Sequence, residues 1–183
     1  MPDAAHLFID VRDPAAPPLG LAGAVVALGN FDGLHRGHRG VIARAQALAR
    51  ASRKPCAVLT FEPHPSDFFA GRSVIFRLTP PAAKAALLAR LGLDGMMTLT
   101  FDGGFAALTA AQFTGDILAR RLGVSAVVAG YDFRFGAARQ GDADFLRAEG
   151  DELVKPGAEA PHAGACPNGY GATASRTARP WAP

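Results

Sequence analysis

The sequence has little cysteine, no long apolar run and no secretory pattern at its amino terminus. Its two cysteines, Cys56 and Cys166, stand far apart and lack the spacing of a zinc site or a disulfide framework. Cys56 lies in an apolar run, so we expect a small buried side chain there rather than a metal ligand. No stretch approaches the ~20 apolar residues of a membrane helix. We therefore expect a cytoplasmic protein without a membrane anchor or a metal held by its side chains.

The charge excess is also small. A formal net charge of +3 is too low and too scattered to favour nucleic acid, although it suits a polyphosphate substrate. A Walker phosphate loop is absent, since no GxxxxGK[ST] occurs. Hydrophobic residues make up 49% and charged residues 19% of the chain, which is the composition of a folded domain. Nothing in the sequence indicates an oligomeric state.

Short apolar runs alternate with helical patterns between residues 19 and 150. Apolar spacing of three and four residues predicts helices at 38–52, 80–91 and 109–122, and continuous apolar runs predict strands at 24–28, 57–61, 95–101 and 124–129. This alternation predicts an α/β fold with a Rossmann-like parallel sheet and helices on both faces. Ligands bind such sheets at the carboxyl ends of the strands.

The carboxyl-terminal part has a different composition. After Val154 the chain contains no valine, isoleucine, leucine or phenylalanine. Such a stretch buries too little apolar area to offset the cost of ordering, which is about 1–2 kcal/mol per residue. We therefore expect an amino-terminal lead-in at 1–19, a folded domain at 20–152 and a low-complexity, disordered tail at 153–183.

The most informative segment, residues 29–38, reads GNFDGLHRGH and lies between the first predicted strand and the first predicted helix. A helix amino terminus offers free N–H groups and a partial positive charge, so it suits a phosphate. His35 and His38 are three residues apart and can present both imidazoles on one side of the turn. There they would donate hydrogen bonds to phosphate oxygens as charge develops during a displacement.

This segment carries the HxGH signature of the nucleotidylyltransferases. In its longer form it resembles the amino-terminal FMN adenylyltransferase (FAD synthetase) domain of the prokaryotic bifunctional riboflavin kinase/FMN adenylyltransferases. Three further segments resemble that family in the same order: TFEPHP at 60–65, RLTP at 77–80 followed by Lys84, and GYDFRFG at 130–136. The resemblance covers about residues 20–150 and implies a nucleotidylyltransferase-type fold.

The resemblance also implies a reaction, in which FMN attacks the α-phosphorus of ATP and pyrophosphate leaves. ATP would enter with Mg²⁺, and FMN and ATP would be the small-molecule partners. The catalytic residues would be His35, His38 and Asn30. The implied ATP-binding set is Gly29, Asn30, Phe31, Asp32, Gly33, His35, Gly37 and His38.

The resemblance implies that the flavin lies against the other segments that match the family. The implied flavin-binding residues are Pro63, His64, Pro65, Phe69, Asp132, Phe133 and Phe135. Aromatic walls suit an isoalloxazine ring. Two simpler interpretations remain open: Phe69 as an ordinary core residue, and Asp132 as the ion-pair partner of Arg134 in a tight turn.

The sequence departs from the family after residue 150. The family continues with a Ser-Ser-Thr-x-Ile-Arg segment and a riboflavin kinase domain, and neither is found here. We therefore expect an adenylyltransferase domain that is truncated or altered at its carboxyl end. Two alternatives remain: an HxGH enzyme with a pantetheine or nicotinate nucleotide acceptor, and a defective remnant that binds flavin or nucleotide without turnover.

Overall fold

The computed structural model describes residues 7–149, 153–154 and 172–176. They form a seven-stranded sheet with the order β1-β4-β3-β2-β5-β7-β6. Strands β1 to β5 are parallel, which confirms the predicted α/β fold, and β7 runs antiparallel to both β5 and β6. The strands are β1 (Ile9–Arg12), β2 (Val25–Leu28), β3 (Cys56–Glu62), β4 (Gly95–Thr100), β5 (Ala126–Gly130), β6 (Leu153–Val154) and β7 (Ala172–Arg176).

Helices cover both faces of the sheet, as predicted. The three predicted helices correspond to α1, to α3, and to α5 with its π-helical continuation. The helices are α1 (Arg36–Ser52), α2 (Pro65–Ala70), α3 (Pro81–Arg90), α4 (Gly103–Ala106), α5 (Ala110–Gln112), the π-helix Phe113–Arg121 and α6 (Ala143–Glu149). A 3₁₀ turn, Ala137–Arg139, precedes α6.

Burial on both faces explains why β2 is apolar throughout. Along β2, Val25 and Ala27 pack with α1 and α3, whereas Val26 and Leu28 pack with the π-helix on the opposite face. Successive side chains of a strand point to opposite faces, so a strand covered on both sides reads as a largely apolar run without alternation. All four residues of β2 are accordingly buried.

The order of the strands determines where a ligand can bind. Strand β2 pairs with β3 on one side and with β5 on the other. The chain therefore leaves β2 at the point where the strand order reverses, and in open parallel sheets that crevice is the usual ligand site. The loops after β2, β3 and β5 are the three that carry the motifs identified in the sequence.

Strand β1 lies inside the segment that the sequence analysis treated as a lead-in. It is an edge strand whose residues alternate between partial burial and exposure, so its apolar signal is weak. Its end is fixed by Asp13, whose carboxylate accepts hydrogen bonds from the Thr100 backbone N–H at 2.7 Å and from the Thr100 hydroxyl at 2.6 Å.

The expected disorder at 153–183 differs from the structure at two short stretches. Strand β7 pairs along β5 through five residue pairs, and β6 pairs with β7. The expectation rested on the lack of large apolar side chains in this segment. Backbone hydrogen bonding in a sheet does not require them. Residues 155–171 and 177–183, including Cys166, lie outside the described part of the chain.

Cys56 is buried, as expected, and burial raises the pKa of its thiol to about 12. The thiol is therefore inert at physiological pH. Within the part of the chain that the structure describes, no helix is long and apolar enough to cross a membrane.

Candidate active site

A cavity of about 1010 Å³ opens at the carboxyl ends of the parallel strands. Its walls come from the loops after β2, β3, β4 and β5, the first turn of α1, the start of α2 and the segment around the π-helix. Most of the predicted site residues line it: Gly29, Asn30, Phe31, Asp32, His35, Gly37, His38, His64, Pro65, Phe69, Asp132, Phe133 and Phe135.

Gly33 and Pro63 are the two predicted residues that do not line the cavity. Gly33 lies in the turn before α1, where its neighbour across space is Leu78. Pro63 lies between β3 and α2. For both residues, the position in the structure points to shaping of the loop rather than contact with a ligand.

The two HxGH histidines lie side by side at the start of α1. His35 is the N-cap residue, with an extended backbone, and its Nδ1 accepts a hydrogen bond from the His38 backbone N–H at 3.4 Å. The two imidazole rings stack with centroids 3.7 Å apart and an interplanar angle of 24°. Because Nδ1 of His35 accepts, its neutral ring carries the proton on Nε2, which remains able to donate. The predicted pair of imidazoles is therefore assembled at a helix amino terminus.

The ring of His38 is the more enclosed of the two. Phe31 is buried behind it, with ring centroids 5.2 Å apart. Burial, and secondarily the neighbouring His35, lower the pKa of His38 from 6.5 to about 4. His38 is therefore neutral near pH 7 and can act through a single N–H donor.

The low pKa of His38 predicts a specific acid sensitivity. Relative to a His38→Asn variant, the free energy of unfolding should fall as the pH drops from 6.5 to about 4. In that interval the unfolded chain binds a proton at residue 38 and the folded chain does not, so stability rises with pH. Urea unfolding across this range measures the free energy of unfolding. An NMR titration of the free protein measures the pKa of His38. A titration midpoint near 6.5 for His38 would contradict the prediction.

Asn30 occupies the turn between β2 and the histidines. Its backbone carbonyl accepts hydrogen bonds from Nζ of Lys84 at 2.8 Å and from the Thr60 hydroxyl at 3.3 Å. Its side-chain Nδ2 lies 2.9 Å from Nε2 of His64. Asn30 is thus held from both its backbone and its side chain by groups on neighbouring elements.

Asp32 lines the cavity, but its carboxylate is hydrogen-bonded to backbone groups of the protein. The carboxylate accepts hydrogen bonds from the backbone N–H groups of Leu78 at 3.0 Å and Thr79 at 2.8 Å. The Thr79 hydroxyl in turn accepts a hydrogen bond from the Gly33 backbone N–H at 2.9 Å. Partial desolvation raises the pKa of Asp32, but the N–H donors outweigh it, and the net pKa lies below its usual value. The RLTP segment therefore closes onto the GNFDG turn, which explains why both belong to one site.

Gly33 is the residue on which this turn depends. Its φ is +69°, and a β-carbon there would lie 2.8 Å from Cδ1 of Leu78. Gly33→Ala should therefore destabilise the fold by about 1–3 kcal/mol. Gly40→Ala is the matched control, because Gly40 lies within α1 and a β-carbon there meets nothing within 4 Å. The control should gain about 1 kcal/mol in urea unfolding, and equal stability of the two variants would refute the argument.

A partly buried ion cluster lies beneath the turn. Glu62, at the end of β3, pairs with Arg77 at 2.6 Å through Oε2 and approaches Nζ of Lys84 at 4.0 Å through Oε1. Lys84 is only 5% exposed. Burial lowers its pKa, although the charges of Glu62 and Asp32 act in the opposite direction. These residues belong to separate segments of the sequence, and nothing in their spacing predicted that they meet.

The other end of the cavity is aromatic. Phe133 and Phe135 stack with ring centroids 6.0 Å apart and an interplanar angle of 24°. Phe69 is 71% exposed, so it is not a core residue, and its ring lies 5.8 Å from that of Phe101. Five aromatic residues that were assigned to neither ATP nor the flavin also line the cavity: Phe61, Phe101, Phe105, Phe113 and Tyr131. The signal that could have identified Phe101 is its position directly after a parallel strand.

Asp132 and Arg134 also face the cavity. Arg134 approaches Asp142 at 3.8 Å, so the ion pair in this turn involves Asp142 rather than the suggested Asp132. Among the described residues, no three His, Cys, Asp or Glu side chains converge as they would around a resident metal ion.

Comparison with known proteins agrees with this geometry. The family model described as FAD synthetase matches residues 20–161. A bifunctional riboflavin kinase/FMN adenylyltransferase of Escherichia coli K12 is 43% identical over 130 residues, covering 71% of this chain and 42% of the relative. The Pseudomonas fluorescens protein of the same name is 41% identical over 128 residues, covering 70% and 41%.

A solved structure titled as a macrolide-efflux protein from Streptococcus pneumoniae has a TM-score of 0.63 and 28% identity. The match covers 76% of this chain and 48% of that one. The chain spans about two fifths of the length of the curated relatives named above. The match to the family model extends over more than half of the chain and includes all four motifs. The chain therefore belongs to the FAD synthetase family.

Proposed function

We propose that the chain transfers the AMP group of ATP to FMN, forming FAD and pyrophosphate. One observation carries the proposal: a single cavity joins a helix amino terminus bearing two imidazoles to a wall of phenylalanine rings. The first end suits phosphates and the second suits a flat aromatic ring. We assign the activity to residues 20–152, with small molecules rather than nucleic acid as partners, and we place it in the cytoplasm because ATP is the donor.

The nucleotide phosphates fit the end formed by β2 and α1. The unpaired N–H groups at the first turn of α1 and the helix dipole favour an anion there. Nε2 of His35 is left as a donor by its capping bond, and His38 lies stacked beside it. Burial lowers the pKa of His38 to about 4, so this imidazole is neutral and can act as an N–H donor at pH 7.

The isoalloxazine ring fits the aromatic end. Phe69 and Phe101 pack edge to face in its lining, and Phe133 and Phe135 come from the loop after β5. Stacked aromatic pairs gain about 0.5–1.5 kcal/mol beyond the burial of their area. An acceptor without a fused ring system, such as a pantetheine, would leave most of this wall uncovered. The wall therefore favours FMN over the other acceptors considered.

The chemistry requires no covalent enzyme intermediate. A phosphate oxygen of FMN forms a bond to the α-phosphorus of ATP, the bond from that phosphorus to the bridging oxygen breaks, and pyrophosphate leaves with that oxygen. Catalysis of such a transfer is mainly positioning and stabilisation of charge. Asn30 and the backbone of residues 29–32 would orient the nucleotide, while His35 and His38 would donate to phosphate oxygens. Mg²⁺ would enter bound to ATP and neutralise part of its charge.

The test is FAD formation by the purified chain from FMN and magnesium ATP, followed by chromatography. A His35→Ala/His38→Ala double variant is the control, and FAD above that control is expected. Calorimetric binding of FMN and ATP by a folded chain that forms no FAD would contradict the proposed activity and favour the binding-only alternative.

A further inference from the structure

The chain after β5 closes into a small loop at the edge of the cavity. Phe135 and Gly141 exchange two backbone hydrogen bonds, from the Phe135 N–H at 3.0 Å and from the Gly141 N–H at 2.9 Å. Gly141 permits this closure, because a β-carbon there would lie 2.5 Å from the Phe135 ring. Within the loop, Ala137 donates its backbone N–H to the Leu108 carbonyl at 2.7 Å. Residues 135–141 are therefore held both by their own ends and by the neighbouring segment.

The apex of this loop has an unusual backbone conformation. Ala138 and Arg139 are consecutive residues other than glycine, and their φ angles are +54° and +58°. This left-handed region is unfavourable for residues that carry a β-carbon. Such strain persists only where the surrounding structure imposes it, and it is concentrated at ligand sites. Both residues line the cavity, so the fold holds Arg139 there in a conformation that an arginine does not favour.

Arg139 also differs from the other cations at the cavity in its partners. Lys84, Arg77 and Arg134 are each engaged by an oxygen atom of the protein. Arg139 is exposed, and no ion pair joins it to a carboxylate in the part of the chain that the structure describes. Asp132, which also lines the cavity, is not paired with it either. The guanidinium of Arg139 is therefore available to an anionic ligand.

The proposed reaction brings two anions together in this cavity. The phosphate of FMN must approach the α-phosphorus of ATP from the side opposite to the leaving pyrophosphate. With the ATP phosphates at the amino terminus of α1, the FMN phosphate approaches from the aromatic end. Arg139 lies in the same closed loop as Phe135, which belongs to that end. A guanidinium suits this group, because its planar fork donates two parallel hydrogen bonds to a phosphate.

We propose that Arg139 binds the phosphate group of FMN and makes the cavity select the phosphorylated flavin over riboflavin. The proposal rests on the proposed function for the identity of the ligand. One small loop then contacts FMN at two places, with Phe135 against the ring and Arg139 against the phosphate. Because this phosphate is the attacking group, the same contact orients it and offsets part of its repulsion from the ATP phosphates.

The first experiment compares the binding of FMN and riboflavin to the full chain without ATP, by the change in flavin fluorescence. Arg139→Gln keeps a polar side chain and removes the charge and the fork. We expect the affinity for FMN to fall about tenfold to hundredfold, the range for loss of a hydrogen bond to a charged group. The affinity for riboflavin should change less than about twofold, because riboflavin lacks the phosphate. Equal losses for both flavins, or an unchanged affinity for FMN, would overturn the proposal.

Two measurements control for net charge and for the source of the phosphate. Arg39→Gln removes the same charge from an exposed residue outside the cavity, and its affinity for FMN should change less than about twofold. The affinity of Arg139→Gln for magnesium ATP, measured by calorimetry, should also change less than about twofold. A loss confined to ATP would assign Arg139 to the nucleotide and contradict the proposal.

Arg139→Gly tests whether the strained backbone is kept for the ligand. Glycine adopts a positive φ without steric cost, so the urea midpoint of unfolding should stay the same or rise while the preference for FMN over riboflavin is lost. A lower midpoint would show that Arg139 serves the fold, which would refute the proposal. These measurements need no turnover, so a chain that shows the expected binding but forms no FAD would refute the proposed function alone. A chain that binds neither flavin would refute both.

Discussion

FAD formation should fall about 10²–10³-fold in kcat when His38 is replaced by alanine, with little change in the KM for ATP. The His38 imidazole lies at the amino terminus of α1 and is held between Phe31 and the stacked ring of His35. Such a fixed donor needs no reorganisation as charge develops on the phosphates, so its removal affects the transition state more than the bound substrate. Steady-state kinetics with varied ATP at saturating FMN provides the measurement.

Arg39→Ala is a suitable control for this experiment. Arg39 follows His38 in the same helix, is exposed and does not line the cavity. It should retain the activity of the unmodified chain. A loss in Arg39→Ala as large as that in His38→Ala would show that the helix, and not the imidazole, is responsible.

His35 requires a second control because it also caps α1. His35→Ala loses both the cap and the imidazole, and the cap alone is worth about 1 kcal/mol of stability. Serine is a favourable N-cap residue, so His35→Ser should restore most of the stability lost in His35→Ala. Activity in His35→Ser should stay low, because the Nε2 donor is absent. Recovery of both properties together would mean that His35 serves only as a cap.

Replacement of Lys84 by alanine should destabilise the fold by about 3 kcal/mol, because it removes one partner of a buried ion pair. Nζ of Lys84 donates to the carbonyl of Asn30 at 2.8 Å and approaches Glu62 at 4.0 Å, and the residue is 5% exposed. Arg77 continues to pair with Glu62 in the variant, which keeps the loss at the lower end of the range for buried pairs. Urea unfolding should show a midpoint lowered by roughly 1–2 M.

Two variants separate the contributions of charge and volume. Lys84→Met keeps most of the apolar stem and removes the ammonium group, so its stability should lie between that of Lys84→Ala and the unmodified chain. Arg90→Ala, at an exposed position of the same helix, should change the free energy of unfolding by less than about 0.5 kcal/mol. Equal stability of Lys84→Ala and Arg90→Ala would show that the ion cluster contributes nothing to the fold.

The sequence predicted the central elements of the fold well. Strands β2 to β5 and helices α1 and α3 were found within a few residues, because each has a continuous apolar run or a clear helical spacing. Strand β1 was missed, since an edge strand needs fewer apolar residues. The short helix α2 was also missed, because its six residues are too few to show a period.

The candidate site was predicted in part. The HxGH segment predicted two imidazoles side by side at the start of a helix, and the structure brings His35 and His38 together as the spacing indicated. The aromatic wall was foreseen at Phe69, Phe133 and Phe135 but not at Phe101 or Phe105. These two lie outside the quoted motifs, and only the order of the strands brings the loop after β4 to the same cavity.

The sequence by itself determined the class of fold, the position of the HxGH turn and the chemistry that we propose for it, because these depend on local patterns of apolar residues, glycine and histidine. The tertiary structure determined which residues that are far apart in the chain lie close together in space. It brought Glu62, Arg77 and Lys84 together beneath the turn and placed His64 against Asn30. Such contacts follow from the pairing of β2 with β3, and that pairing depends on the packing of the whole sheet and not on any single segment.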